Sequence, residues 1–498
     1  MVIMKKALLL SCCSLVLGGF SMPVFAETLQ ESVALALSSH PSIDVASAAR
    51  EVANETKREQ RSGYFPEINA SASAGRIYGD NSTSRGLTIS RGAAYSGLGE
   101  VSASITQPIF DGFETSNRVK AADARIQSEE YNIADARESL AYQAVQAYWG
   151  LFHSQRLLSK INSYNETIQS YLDRIQMMVD EGAADESETA QARNILLTLE
   201  TSIIDYEGQV ETALANYVQV VGNAPRSSLQ EPLAIGHLVP KNSKEALPAS
   251  QTEHPLLMSL DRNMQASEFD SKAERGLLFP SVDGELSLYK KDQKEEIGGE
   301  IEDGRALLKM NWLFNTGGAQ FARRDRALAE KSELLARKQE TLLQIQGDIR
   351  RAYVEMQTAQ KQMKIIDERK TVAEELLSAY ETQFEGGRVR LLQLMQTENQ
   401  LFNVDIERLN ADYRYKLAEY AVLASMGKLN QYLAQAPVMA TAPVMTKAAS
   451  LQEKPRGHVI RQTPAIMPEL ETLPVVSQQP TSLSQSVIEE RIYTGVSK

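Results

Sequence analysis

Side chains able to do covalent or metal chemistry are few in this 498-residue chain. It has two cysteines, Cys12 and Cys13, and five histidines, His40, His153, His237, His254 and His458. A structural zinc site gathers four such ligands, usually as closely spaced pairs, and no two of these residues stand at that spacing. The phosphate-cradling GxxxxGK[ST], a strand-linked GxGxxG, the HExxH zinc helix and the GxSxG elbow are all missing. Carboxylates are plentiful on the charge-rich stretches, but no pair is set apart as an acid–base dyad. These residues predict neither an enzyme nor a cofactor or metal site.

Composition narrows the class further. The chain is 43% apolar and 23% charged, with aromatics at 6%. Its mean hydropathy of −0.30 excludes a polytopic helical membrane protein. With 52 basic and 64 acidic residues the formal charge is −12, and no basic tract offers a nucleic-acid surface. The first 26 residues read as a secretory signal: Lys5 and Lys6, an apolar run from 7 to 20, then Val24-Phe25-Ala26 before the cleavage point. Leu9-Leu10-Ser11-Cys12 has some likeness to a lipoprotein site. However, the five residues between Lys6 and Cys12 are fewer than the ~7–15 of an apolar signal core. Cleavage after Ala26 removes both cysteines. The remainder has no apolar run of about 18 residues, so any membrane crossing would fall to β-strands.

Self-similarity organises the rest. His40-Pro41, Arg61 and Phe65-Pro66 recur as His254-Pro255, Arg275 and Phe279-Pro280, all at an offset of 214. Gln107-Pro108-Ile109-Phe110-Asp111 matches Asn311-Trp312-Leu313-Phe314-Asn315 at 204, and Gly182 and Gly222 match Gly387 and Gly427 at 205. The change in offset puts about ten extra residues in the first half, within 79–97, whose Gly, Ser, Asn and Thr read as a loop. The chain therefore divides into a signal (1–26), a first repeat (27–225), a linker (226–250), a second repeat (251–430) and a Pro-rich tail (431–498). The tail lacks periodicity and reads as mostly disordered.

Proline is absent from 109 to 224 and from 281 to 436, leaving both windows free for long helices. Apolar residues there repeat in 4-3 steps. One seam runs Leu157, Ile161, Tyr164, Ile168, Tyr171, Ile175, Met178. The other runs Ile345, Ile349, Ala352, Met356, Ala359, Met363, Ile366, Lys370, Ala373, Leu377, Tyr380, Phe384. This is a coiled-coil pattern. Glycines at Glu181-Gly182-Ala183 and Gly386-Gly387-Arg388 end the seams, and helical pattern resumes after each, which predicts two antiparallel hairpins. Each repeat also carries two alternating stretches: Ile68, Ala70, Ala72, Ala74; Val101, Ala103, Ile105; Val282, Gly284, Leu286, Leu288; and Ala306, Leu308, Met310, Trp312, Phe314. Alternation over ~9–11 residues suits a membrane barrel strand; each stretch alone suits a soluble hairpin packed on a helix equally well, and the four together behind a signal favour the barrel. His40 and His254, each before proline at a segment boundary, read as helix starts or turns in preference to metal ligands. His153 reads as a packed or interfacial residue and Trp312 as a member of an interfacial aromatic girdle.

The run Gln107-Pro108-Ile109-Phe110-Asp111-Gly112 resembles the strand-to-helix motif of the TolC family of outer-membrane export channels. The stretch 383–399, QFEGGRVRLLQLMQTEN, resembles that family's second periplasmic hairpin tip, and the likeness extends over 27–429. The resemblance implies a mostly α fold with membrane β: four strands per protomer in a barrel shared by a trimer, above a periplasmic coiled-coil tunnel. It also implies a periplasmic adaptor at the tips (Glu181, Gly182, Ala183, Gly386, Gly387) and an inner-membrane ABC or proton-driven transporter. The family's two acidic gate rings match Gln393 and Gln396 here, so both carboxylates are missing. Its acidic gate-lock position matches Glu188. The basic partner position holds Val389, flanked by Arg388 and Arg390, so Glu188 is expected to pair with one of these. The acidic tip residues Asp180, Glu181, Asp185, Glu186 and Glu188 suit either a basic partner or the dipole of the helix they start. The second tip looks similar to type I secretion components, implying protein cargo, with small-molecule efflux as the alternative and a periplasmic adaptor or coiled-coil scaffold as the other class.

Overall fold

The computed structural model describes residues 27–79, 94–294, 299–313 and 317–435. The expected signal, most of the 79–97 loop, Phe314-Asn315 and the tail from 436 onward lie outside the described residues. Element order is α1 (Leu29–Ser39), α2 (Pro41–Ser62), β1 (Glu67–Gly79), β2 (Ala94–Phe110), α3 (Glu114–Asp180) and α4 (Glu186–Val221). Then follow α5 (Ser243–Glu253), α6 (Pro255–Gly276), β3 (Ser281–Gln293), β4 (Glu300–Asn311), α7 (Ala319–Glu385), α8 (Leu391–Ser425) and α9 (Leu429–Gln435). α5 runs across the expected linker boundary, and α9 occupies the first residues assigned to the tail. No helix among the described residues is long and apolar enough to cross a membrane.

Local signals explain where helices begin. Thr28 and Glu31 cap α1 reciprocally, with Glu31 N–H donating to Thr28 Oγ1 at 3.3 Å and Thr28 N–H to Glu31 Oε2 at 3.0 Å. The two His-Pro pairs are N-caps. His40 Nδ1 accepts from Ser42 N–H at 3.2 Å and His254 Nδ1 from Leu256 N–H at 3.3 Å, with proline at the first helical position each time.

α3 and α7 are each 67 residues long, about 100 Å as straight rods. Their seams face inward: Ile161, Ile168 and Ile175 are buried on α3, and Ile345, Ile349, Ala359 and Ala373 on α7. Around Ile168 and Ile175 the cover comes from Ala192, Leu196 and Leu199 of α4 and from Leu391, Leu394 and Met395 of α8. Burying each such Leu or Ile contributes about 1.5–3 kcal/mol. A second cluster knits α1, α3, α4, α8 and α9 through Leu29, Leu140, Tyr148, Tyr217, Tyr420 and Leu429. At its edge the buried Glu27 carboxylate accepts from Tyr217 Oη (2.5 Å), Ser32 Oγ (2.9 Å) and Arg226 N–H (2.9 Å), which satisfies a charge that would otherwise be costly there.

The strands form one antiparallel sheet in the order β1-β2-β3-β4. Register aligns Ile68, Ile105, Leu286 and Ala306 in one row and Ala70, Ala103, Leu288 and Gly304 in the next. All of these share one face, which a single chain leaves open: Ile68 is 70% exposed and Leu308 72%. The opposite face is polar, with Ser71 bonded to Ser102 (2.8 Å), Tyr289 Oη donating to Glu100 (3.0 Å) and Lys309 paired with Glu285. Two details differ from the sequence expectation. Residues 94–97, expected in the loop, are paired strand, with Tyr95 opposite Tyr78 and Gly97 opposite Arg76. Trp312 lies beyond β4, which ends at Asn311. Its indole N–H donates to Leu278 O at 3.2 Å, a bond to the preceding turn in place of a ladder position.

Exposed rings border the apolar face at both ends. Tyr64, Phe65, Phe110, Phe113, Phe279 and Trp312 lie where the strands meet the helices. Tyr78 and Tyr95 pack against each other at the far end, their ring centroids 5.1 Å apart and their planes tilted by 49°.

Candidate functional site at the hairpin tips

Each rod turns back through five residues, 181–185 and 386–390. Both turns use the same hydrogen bonds. Ala183 N–H reaches Met178 O (2.7 Å) and Gly182 N–H reaches Val179 O (2.9 Å). Arg388 N–H reaches Gln383 O and Gly387 N–H reaches Phe384 O, both at 2.9 Å. This is a Schellman close, which needs a left-handed residue just past the helix. Gly182 (φ 74°) and Gly387 (φ 68°) supply it.

The returning helices start with opposite chemistry. α4 has Asp185 as its N-cap and Glu186 and Glu188 in its first turn, all favourable to the helix dipole. α8 has Arg390 at its N-cap and no acid in its first turn, so a cation sits at the positive end of its own helix. Arg390 finds its anion on the other hairpin: its Nη1 lies 3.0 Å from Glu188 Oε1. The pair is asymmetric. Arg390 is largely exposed, whereas Glu188 is only 5% exposed, one turn before the buried Ala192. Arg388 is exposed and makes no ion pair among the described residues. Of the two arginines expected beside Glu188, the structure therefore brings Arg390 to it.

Gln393 is the third residue of α8, the place Glu188 holds in α4. It and Gln396 are exposed on the face away from the buried Leu391, Leu394 and Met395. Gln396 looks into a cleft of about 460 Å³, shared with Asn194 and Thr198 of α4 and Tyr164 of α3. There Asn399 Nδ2 donates to Tyr164 Oη at 3.0 Å, and Tyr164 stacks on Phe402 at 4.3 Å. Burial pushes the Tyr164 hydroxyl up to about 12, so it stays neutral.

Farther from the tips, Asp405 of α8 accepts from Lys160 of α3 (2.5 Å) and from the seam residue Lys370 of α7 (2.8 Å). One carboxylate thus ties three rods. Burial alone would raise the Asp405 pKa, but the two ammonium groups outweigh it and hold the carboxyl below its usual range. Sequence reasoning missed this clasp, although Lys370, the one charge in an apolar seam, pointed to it. His153 of α3 stacks on Tyr413 of α8 at 4.5 Å, with Nε2 2.9 Å from Asn410 Oδ1.

These tips carry acceptors, donors and charge, but no group able to act as a nucleophile beside a base. No cluster of metal-ligating side chains occurs among the described residues.

Comparison with known proteins agrees with this architecture. Residues 33–223 and 247–428 match the sequence profile of the family described as "Outer membrane efflux protein". The outer membrane efflux protein BepC of Brucella suis is 24% identical over 412 residues, covering 81% of this chain and 86% of BepC. The crystal structure of the Campylobacter jejuni CmeC outer membrane channel shares the fold at a TM-score of 0.69 and 18% identity, covering 80% of this chain and 86% of that one. The open state of the Neisseria gonorrhoeae MtrE outer membrane channel does so at 0.66 and 16%, covering 80% and 89%. The two profile matches span most of the chain, and it therefore belongs to the outer membrane efflux protein family, the TolC-like channels of efflux and export systems.

Proposed function

We propose that three copies of this chain close into one outer-membrane exit duct. Like the rest of its family it is a non-catalytic conduit of a tripartite efflux or export system. The observation that carries the trimer is the sheet. Four strands cannot close on themselves, and the open edges of β1 and β4 are not tolerated in lipid. Three copies bring twelve strands, an even number with no edge left over. The apolar face then meets lipid and the polar face lines the lumen. The two halves of the chain, 27–225 and 251–430, joined through 226–250, are an internal duplication that supplies matching strands and rods. α3, α4, α7 and α8 build the periplasmic tunnel.

The tips are its gate in this reading. Glu188 and Arg390 hold the entrance shut, Arg388 stands beside them, and Gln393 and Gln396 form uncharged constricting rings. Glu181, Gly182, Ala183, Gly386 and Gly387 present the turns to a periplasmic adaptor, and an inner-membrane ABC or proton-driven transporter supplies the energy. A heat-sensitive trimer band from the outer-membrane fraction is the expected result; a heat-insensitive monomer in the soluble fraction would leave the scaffold reading in its place.

The cargo we propose is an exported protein, of the adhesin or toxin kind, on the resemblance of the second tip to type I secretion components. Small-molecule efflux is the second reading, favoured by the name of the relative BepC. Deleting the gene and comparing secreted proteins with drug susceptibility separates them. Loss of a secreted protein at unchanged susceptibility supports the first reading, and the reverse supports the second.

A further inference from the structure

The repeated Arg-x-x-x-Phe-Pro pattern, Arg61 to Pro66 and Arg275 to Pro280, plays no part in the duct described so far. In the second repeat it borders a cavity of about 290 Å³ where β2 passes into α3 and α6 passes into β3. Two glycines make that crossing possible. A Cβ on Gly112 would stand 2.3 Å from Gly276 O, and one on Gly276 would stand 2.8 Å from Gly112 O. The backbones therefore touch, and the side chains on either side splay outward.

Those side chains are of two kinds. Lys120, Lys272 and Arg275 line the cavity and no carboxylate does, in a chain whose net charge is −12. Nearby acids are engaged elsewhere: Asp111 accepts from Thr115 N–H at 2.7 Å, Glu114 pairs with Arg118 at 2.7 Å, and Asp270 and Glu274 line a different cavity with Arg118 and Arg125. Lys272 is shared with Glu268 at 2.9 Å, but neither Lys120 nor Arg275 has an ion pair among the described residues. Arg275 also offsets the C-terminal dipole of α6, which fixes its backbone position but leaves its guanidinium unpaired. The other kind is aromatic: Phe113 and Phe279 flank the cavity, 65% and 51% exposed.

Phe113 adds an independent observation. It is the single non-glycine residue with positive φ (69°) among the described residues, and the matching position in the second repeat, Gly318, holds φ 70° with glycine. A left-handed phenylalanine is strained. In this conformation the ring is exposed, lines the same cavity as the cations and stands edge-on to Phe110 at 5.6 Å.

We infer that this junction binds the phosphate headgroup of an anionic phospholipid, the cations taking the phosphate and the rings lying against the first acyl carbons. The inference rests on the barrel reading, which puts the apolar face of the sheet in lipid and this junction at its periplasmic border. Cations and amphipathic rings at such a border are suited to anionic headgroups.

The test uses the purified trimer of the full mature chain in nanodiscs of equal parts phosphatidylglycerol and phosphatidylcholine. Retained lipid is counted by native mass spectrometry. The variants are Lys120→Gln with Arg275→Gln, Lys120→Gln alone, and a control, Lys361→Gln with Lys364→Gln, that removes the same charge from α7. Wild type and control should retain phosphatidylglycerol over phosphatidylcholine. The double variant should lose this preference, by about fivefold for each cation removed. Equal retention by folded trimers of all variants would overturn the site while leaving the barrel intact. Displacement of the lipid by inorganic phosphate alone would overturn the choice of ligand. Absence of a trimer from the wild type would overturn the barrel reading, and the site with it.

Discussion

Arg390 begins one hairpin's return helix and Glu188 sits in the first turn of the other's, and the 3.0 Å contact between them is the ion pair that bridges the two tips. Arg390 is out of place for its own helix dipole, so its position is accounted for by the neighbouring hairpin. The pair is also unequal: the buried partner is the acid, so removing the cation strands a desolvated carboxylate.

That inequality predicts which arginine matters. Arg390→Ser should open the entrance and raise single-channel conductance in planar bilayers, whereas Arg388→Ser alone should leave it near wild type. Exposed pairs are worth about 0–1 kcal/mol; the burial of Glu188 raises the cost of removing Arg390, because the carboxylate left behind is desolvated and unpaired. Equal conductance in both single variants and the wild type would refute the lock.

Gln393 and Gln396 predict a second electrical property. A ring of carboxylates in a narrow pore concentrates cations, whereas a ring of amides does not. Divalent cations should therefore block the wild-type channel weakly and a Gln393→Asp, Gln396→Asp variant strongly. Dose–response curves in the same bilayer apparatus would show the difference. Identical block would locate the selective charge elsewhere.

The backbone crossing at the base of the sheet predicts a stability asymmetry between neighbours. Gly112→Ala adds a methyl 2.3 Å from Gly276 O at φ 68° and should cost several kcal/mol, seen as loss of folded trimer. Phe113→Gly relieves the left-handed strain while losing the contact with Phe110, and the two effects should cancel to within about 1 kcal/mol.

His254 predicts a pH dependence. Its Nδ1 must be unprotonated to accept from Leu256 N–H, and burial lowers its pKa below 6.5. The unfolded chain therefore takes up the proton first as pH falls. The cap's contribution is complete above about pH 6.5 and is lost as pH drops through the lowered folded value. His254→Asn caps without titrating. Thermal melts from neutral pH downward should fall less steeply for the variant than for the wild type.

The long-range plan of the fold was legible because it rests on local, repeated signals. The 4-3 seams, the His-Pro starts and the glycine turns each act within a few residues, and each recurs about 205 or 214 positions later. The extent of the strands was not legible. Gly97 and Gly99 are paired residues of β2, but glycine carries no side chain to mark an outward face, and the composition resembled a loop. Trp312 extended the alternation of β4 in sequence, whereas its indole bonds back to Leu278 O and the ladder stops at Asn311. The charge contacts were the least readable. Asp405 and Lys160 are 245 positions apart, and nothing local marks two solvated-looking charges as partners. Of the tip residues, the pairing of Glu188 was expected, but its burial was not, since tip charges ordinarily stay in water.

The equal length of α3 and α7, 67 residues each, makes this chain a ruler. Both turns must arrive at the same level for Arg390 to meet Glu188. Removing seven residues, two turns or about 10 Å, from one rod would carry its tip past its partner. Lengthening or shortening can succeed only as a matched change in all four arms. Evolution can retune the span of such a duct only in coordinated steps, while the tip side chains stay free to vary one at a time.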